Sequence, residues 1–206
     1  EKGLIDLLCP MDFFYTDWRT MIENMAEWRA LTDGTECGLY PTIHSMAWKD
    51  YGQPYISSES YRGAAHSYYL HGAEGIALYN LWEENAVGWE AVRDMSKPMV
   101  LGENPRRYHC YLGELIGIVK GVRKAVGFYL PEDPRDPGAQ ASLRFTAVNL
   151  TLDHCIEVDL NGSQVNTETL FFERRGVRSG PAGAPSLRYG HIVGFPLAGT
   201  AALKGK

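Results

Sequence analysis

Side chains that can carry out acid–base chemistry or bind a sugar follow three short apolar segments of the chain. The apolar segments are 3–11 (GLIDLLCPM), 37–43 (CGLYPTI) and 75–81 (GIALYNL). The residues of interest are Asp12, Tyr15 and Asp17 after the first segment, His44 and Trp48 after the second, and Asn80, Trp82 and Glu83 at the end of the third. A carboxyl group can protonate or attack at a glycosidic bond, and a flat aromatic ring can stack on the apolar face of a pyranose. These residue types together favour a carbohydrate site.

Two carboxylates are candidates for a catalytic role. Asp12 is the first, because it ends an apolar segment and because Phe13 and Phe14 can desolvate its carboxyl group and raise its pKa toward that of a general acid. Glu83 is the reserve candidate, since it lies farther out, past Trp82, where water solvates its carboxyl group. Each also has a structural interpretation, Asp12 as a cap of local backbone and Glu83 or Glu84 as a solvated loop residue.

The remaining six residues are predicted to bind substrate: Tyr15, Asp17, His44, Trp48, Asn80 and Trp82. Asn80 is expected to point into the pocket. Asp17 is equally explained as the N-cap of a following helix, and His44 as a hydrogen-bonded structural histidine. The two tryptophans are equally explained as core or rim residues.

The elements that must position these residues alternate between strand and helix. Helical spacing of apolar residues begins after Thr16 or Asp17, a second helix begins at Ser57 or Ser58 and ends before Gly72, and a third covers 87–95. Alternation of this kind predicts parallel strands joined by right-handed crossovers. In a (β/α) barrel the carboxyl ends of the strands form the active site. Three units are too few to close a barrel, so the upstream half of the domain is expected to be missing.

The second half of the chain has a different pattern. A loop rich in proline and acid at 131–138 (PEDPRDPG) precedes short segments that alternate in polarity, at 143–150, 155–160, 169–173 and 189–196. Asn161-Gly162 is a strong signal for a two-residue hairpin. The pattern predicts a small antiparallel β-sandwich. The two predicted domains are therefore 1–104, the C-terminal part of a barrel, and 105–206, a transition segment with the sandwich.

Three stretches resemble the last strands of bacterial glycoside-hydrolase-like (β/α)8-barrel proteins. They are LCPMDFFYTD at 8–17, CGLYPTIH at 37–44 and YRGAAHSYYLHGAEGIALYNLW at 61–82, in which Glu74 replaces the more usual aspartate of a Gly-Ala-Asp-Gly-Ile motif. Proteins of this family commonly carry a β-sandwich after the barrel, and DLNG at 159–162 is similar to a hairpin found there. The resemblance implies a glycoside-hydrolase-like protein that acts on a polysaccharide or oligosaccharide.

One departure from the family keeps two functions open. Many barrel glycosidases take their acid/base from a middle strand, which here would precede residue 1, and His44 stands where some families place a nucleophilic glutamate. The first hypothesis is therefore a hydrolase of O-glycosidic bonds when full length. The second is a non-catalytic carbohydrate-binding or surface protein with a degenerate barrel. A third hypothesis, a barrel enzyme acting on a small metabolite, has less support. Barrels that bind phosphate ligands usually have a glycine-rich loop near their last strands, and here the loop after the third segment is acidic and aromatic.

Composition excludes several other classes. The net charge is −5 and lysines and arginines form no stripe, which argues against a nucleic-acid partner. No apolar run reaches the roughly 18 residues of a membrane helix. The four cysteines form no CxxC pair, so neither a metal nor a cofactor is expected, and Cys9 and Cys37 are predicted to be buried free thiols. The N-terminus does not indicate a location, although a secreted or periplasmic one is slightly favoured for the full-length protein.

Overall fold

The structure is a computed structural model that describes residues 4–11, 18–45, 56–108, 119–126, 130–132, 141–148, 155–165, 171–179 and 186–196. The chain divides into two units, Glu1–Pro131 and Glu132–Lys206. The division falls at the start of the loop that is dense in proline and acid.

The first unit alternates strands and helices. Its described elements are β1 (Leu7–Leu8), α1 (Trp18–Thr32), β2 (Gly38–Leu39), β3 (Thr42–His44), α2 (Ser58–Leu70), β4 (Ala77–Tyr79), α3 (Ala86–Met95) and α4 (Pro98–Leu101). β1 pairs in parallel with β2, and β3 pairs in parallel with β4. The parallel pairing predicted from the alternation is therefore present. The described strands form no closed sheet, and a barrel remains a prediction.

β2 and β3 are two parts of one extended segment. Pro41 separates them, because it has no backbone N–H to offer the ladder. Backbone hydrogen bonds nevertheless continue on both sides of it: the Tyr40 amide donates to the Leu8 carbonyl and the Thr42 amide to the Pro10 carbonyl, both at 2.8 Å. The segment 38–44 thus lies between the first strand on one side and β4 on the other.

Helix α2 begins and ends where its sequence signals predict. The Ser57 hydroxyl accepts a hydrogen bond from the Ser60 amide at 3.3 Å and caps the first turn. Past the last turn, Gly72 has a φ of +93°, the left-handed conformation of a C′ glycine. Which residue caps α1 lies outside the described residues, because Thr16 and Asp17 are not among them.

The carboxyl group of Glu59, in the first turn of α2, is held ionised by its surroundings. Desolvation by burial acts to raise its pKa. Hydrogen bonds from its own backbone N–H and from Ser57, together with the positive charges of Arg107 and Arg62, outweigh burial and set the pKa below the ordinary value of 4.5. A negative charge at this end of the helix also complements the helix dipole.

The core of the first unit lies between the strands and the helices that cross them. Its buried members are Met25, Leu39, Ile43, Ile56, Tyr61, Ala64, Ala65, Tyr68, Ala91, Met95 and Leu101. Polar contacts as well as apolar ones join α2 to α3. The Arg62 guanidinium donates to the Asp94 carboxylate at 2.6 Å, and the Tyr69 hydroxyl donates to the Met95 carbonyl at 2.8 Å. The partly buried ion pair and the apolar packing together fix the position of α3.

The prediction that Cys9 is buried is wrong. Cys9 is exposed and Cys37 is half-buried, although both are free thiols as expected. Side chains alternate along a strand, and the neighbouring Leu8 packs against the core. Cys9 therefore takes the opposite face, on which Leu7 is also exposed. An apolar segment does not by itself show that both faces of its strand are covered.

The second unit is built from antiparallel strands. They are β5 (Ser142–Val148), β6 (Asp159–Leu160), β7 (Ser163–Gln164), β8 (Phe171–Ser179) and β9 (Ser186–Pro196). Three of them form a sheet in the order β5-β9-β8. β6 and β7 form the predicted hairpin, in which Asn161 and Gly162 have φ angles of 48° and 84°. Both angles are positive, as a type I′ turn requires. A second sheet facing the first one, and hence a sandwich, remains a prediction.

Candidate functional site

The candidate site is at the carboxyl ends of β3 and β4. The two strands are parallel and in register, with His44 opposite Tyr79. Their rings meet edge to face, with centroids 5.1 Å apart and planes inclined by 65°. His44 is 9% exposed and Tyr79 43% exposed. The two side chains therefore share one face of the sheet, and the tyrosine lies nearer to solvent.

Ser45 fixes the end of this strand pair. Its amide and its hydroxyl both donate to the Tyr79 carbonyl, at 3.1 and 2.8 Å. The Ser45 carbonyl in turn accepts from the Ile56 amide at 3.0 Å, which holds the residues just before α2 against the strand end. Ser45 is fully buried, so these bonds are shielded from water. The backbone around His44 is therefore held in place on both sides.

The first strand segment reaches the same edge. The Thr42 hydroxyl donates to the Cys9 carbonyl at 3.3 Å, and the Thr42 amide donates to the Pro10 carbonyl. These contacts place the end of the first apolar segment beside β3. Asp12, two residues beyond Pro10, lies outside the described residues.

Asn80 turns the chain at the end of β4. Its φ of 56° is in the left-handed region, which non-glycine residues rarely adopt and asparagine adopts more readily than most. The turn directs the chain into the loop 81–85, in which Trp82 is 53% exposed and Glu83 and Glu84 are also exposed. The prediction that at least one of the two glutamates is solvated is confirmed.

Asn85 holds this loop to the core. It is 1% exposed, and its side-chain oxygen accepts from the Gly88 amide at 2.8 Å, capping α3. Its side-chain nitrogen donates to the Tyr61 hydroxyl at 3.0 Å. A buried side chain with both functions satisfied gives the loop a defined conformation.

Trp89 was not predicted from the sequence as a site residue. It lies one turn into α3, it is 48% exposed, and its indole nitrogen donates to the Trp82 carbonyl at 3.1 Å. A tryptophan within an amphipathic helical segment usually faces the core. Tyr79 was also missed as a site residue, although it precedes Asn80 in the motif that resembles the barrel family. The available signal for both was their position close to the end of the third apolar segment.

Four of the predicted site residues are described by the structure, and four are not. His44, Asn80, Trp82 and Glu83 all belong to the ends of β3 and β4 or to the loop that follows. For Trp82 the exposure rules out a core position. Asp12, Tyr15, Asp17 and Trp48 lie outside the described residues, and their roles remain predictions.

The described part of the site suits binding through hydrogen bonds and ring stacking. Its polar side chains His44 and Ser45 are buried, whereas its carboxylates, Glu83 and Glu84, are exposed. Among the residues that the structure describes, no group of three potential metal ligands occurs. Within the same residues, no helix has the length and apolar character needed to cross a membrane.

Comparisons with known proteins add no relative to this picture. No known family model matches the sequence, and no curated protein matches it. The resemblance to glycoside-hydrolase-like barrels therefore remains a prediction from the motifs, and a function must be argued from the residues at the strand ends.

Proposed function

We propose that this protein is glycoside-hydrolase-like and acts on a polysaccharide or oligosaccharide at the carboxyl ends of β3 and β4. One observation carries the proposal: two parallel strands end in register and bring His44, Tyr79 and Asn80 to one edge, next to the exposed ring of Trp82. Hydrogen-bonding side chains beside a flat aromatic face match the alternating polar and apolar surfaces of a sugar.

In the proposed site each residue type has a distinct task. His44 and Asn80 hydrogen-bond sugar hydroxyls, and Trp82 stacks on a pyranose face. Asp12 supplies the catalytic carboxylate from the first strand, with Glu83 in reserve. Tyr15, Asp17 and Trp48 extend the binding surface. Hydrolysis requires a second carboxylate, which in this proposal comes from a further βα unit.

The exposed side of β1 supports the idea of further units. The carbonyls of Asp6, Leu8 and Pro10 are bonded to the segment 38–42. The backbone groups of the residues between these three point to the other edge of the strand. The side chains of Leu4, Ile5 and Leu7, which lie on the faces of the strand, are 81%, 59% and 54% exposed. Large apolar side chains exposed to water favour burial against a further element. We propose that a preceding βα unit continues the parallel sheet there.

A second candidate function is carbohydrate binding without catalysis. The observation that favours it is the exposure of Glu83 and Glu84, because a general-acid carboxyl group is usually held in a desolvated pocket. Under this alternative the same strand-end residues bind the glycan, and Asp12 caps local backbone.

The test uses the full-length polypeptide and a panel of polysaccharides. We expect release of reducing sugar, and Asp12→Asn should lower turnover by roughly 10²–10⁴-fold while the protein stays folded. Asp33→Asn is the matched control, because Asp33 is an exposed aspartate in the turn after α1. Unchanged turnover in Asp12→Asn would remove Asp12 from the mechanism. Binding without any turnover in the unsubstituted protein would favour the second candidate, and absence of binding would contradict both.

A further inference from the structure

Two exposed indole rings follow β4 in the chain. Trp82 belongs to the loop 81–85, and Trp89 belongs to the first turn of α3. Trp82 and Trp89 are 53% and 48% exposed, and Val87 between them is 44% exposed. Large apolar side chains that cluster at the surface commonly mark a binding site. The carboxylates of Glu83, Glu84 and Glu90 in the same stretch are also exposed, so polar groups surround the apolar ones.

The position of Trp89 is fixed by the backbone of the loop. Its indole N–H donates to the Trp82 carbonyl at 3.1 Å, and its amide donates to the Asn85 carbonyl at 3.1 Å. The indole nitrogen is therefore already used within the protein. What the ring offers a ligand is its exposed apolar surface.

The loop 81–85 and the first turn of α3, which carry the two rings, are bonded and closely packed. Gly88 has no room for a side chain, because a Cβ atom there would lie 2.5 Å from a methyl group of Leu81 and 2.6 Å from the side-chain nitrogen of Asn85. Asn85 is bonded to both Gly88 and Tyr61. Aromatic rings on a rigid support bind with little loss of conformational entropy.

We propose that Trp89 extends the aromatic surface of Trp82 beyond the strand-end site and binds one further pyranose unit of the glycan. This inference rests on the proposed function. Trp82 is two residues beyond Asn80, and the Trp89 indole N–H donates to the Trp82 carbonyl, so the Trp89 ring lies close to the strand-end site. The patch consists of two rings and a valine, far fewer residues than the roughly 20–30 that each partner contributes to a stable protein interface. A narrow glycan chain fits a patch of this size.

The experiment measures the affinity of the full-length protein for oligosaccharides of increasing length, taken from the glycan that it binds best. The unsubstituted protein should gain affinity when the oligosaccharide becomes long enough to reach the two rings. Trp89→Ala should remove that gain, lowering the affinity for long oligosaccharides by roughly tenfold, or about 1.4 kcal/mol. Short oligosaccharides should bind with unchanged affinity.

Three further variants make the result specific. Trp89→Phe keeps an aromatic face and should retain part of the gain, which a merely structural role of the indole hydrogen bond would not explain. Trp82→Ala should lower the affinity for long and short oligosaccharides alike, because Trp82 also belongs to the strand-end site. Met99→Ala is the matched control, since Met99 is 88% exposed on α4.

The two proposals fail in different ways. If the protein binds glycans and Trp89→Ala binds long oligosaccharides as tightly as the unsubstituted protein, the aromatic surface is overturned and the proposed function stands. The proposal of an aromatic surface is likewise overturned if Trp89→Ala lowers the affinity for short and long oligosaccharides equally. If the unsubstituted protein binds no glycan, the proposed function and the aromatic surface are both overturned.

Discussion

Asn80 combines an unusual backbone conformation with a predicted binding role. Its φ of 56° turns the chain out of β4, and its side chain is half-exposed beside the strand ends. The left-handed conformation costs most residues roughly 1 kcal/mol or more, whereas glycine adopts it freely and asparagine at a reduced cost. Substitutions at this position can therefore separate the backbone requirement from the contribution of the amide group.

We expect Asn80→Ala to be less stable than Asn80→Gly by about 1 kcal/mol, measured by urea unfolding. Glycine accepts the positive φ, and alanine does not. Both variants lack the amide group and should bind glycan more weakly by a similar factor once compared as folded proteins. Equal stability of the two variants would show that the left-handed turn is not required. Undiminished glycan affinity in Asn80→Gly would show that the amide does not contact the ligand.

At the residue scale the sequence predicts local features well. The Ser57 cap, the glycine at position 72 and the Asn161-Gly162 turn each depend on a few neighbouring residues, and each is found as predicted. The exposure of Cys9 and the exposure of Trp89 were not predicted. Both depend on which face of an element is covered by residues distant in sequence, and a short pattern does not contain that information.

At the scale of elements, α2 is held close to the segment that follows α4. The Arg107 amide donates to the Glu59 carbonyl at 2.9 Å, and the Arg107 carbonyl faces Gly63. A Cβ atom at Gly63 would lie 2.3 Å from that carbonyl oxygen. Because backbone cannot move aside as a flexible side chain can, the helix approaches this segment closely only with glycine at that position.

Gly63→Ala should therefore destabilise the protein by roughly 1–3 kcal/mol through overpacking. Gly102→Ala is the matched control. Gly102 has a φ of −66°, and the nearest atom to its Cβ position is 3.6 Å away. Alanine there should be neutral or stabilise the protein by up to about 1 kcal/mol. Thermal unfolding of the two variants measures the difference. A Gly63→Ala variant as stable as Gly102→Ala would contradict the close packing.

The sequence predicted the kind and order of the elements better than their limits. Alternation of strand and helix predicted parallel pairing, and β1 with β2 and β3 with β4 pair in this way. Within the predicted strand 155–160 the structure has a strand at Asp159–Leu160, and β8 ends at Ser179, well beyond the predicted end at 173. Strand limits depend on the partner strand, which a local pattern does not specify. Four of the eight predicted site residues lie at or just beyond the described strand ends, and the other four lie outside the described residues.

At the scale of the whole molecule, the chain has a division at residues 131–132. The segment 131–138 contains three prolines and three acidic residues. Limited proteolysis of the native protein should cut first in this segment, because such composition favours exposure. The products should be two fragments that resist further cleavage for longer than the intact chain does. First cleavage inside 61–82, which contains α2 and β4, would contradict the division.

The strand order of the second unit constrains when that unit can form. β9 is the last of the described strands in the sequence, yet it is the central strand of the sheet, paired with β5 on one side and β8 on the other. During synthesis β5 and β8 emerge first and have no described partner other than β9. The sheet therefore assembles only when β9 has left the ribosome. The strands of the first unit pair with the next strand along the chain and can form as they emerge. Premature termination before residue 186 would thus leave the second unit without the central strand of its sheet, whereas the described strand pairs of the first unit would be complete.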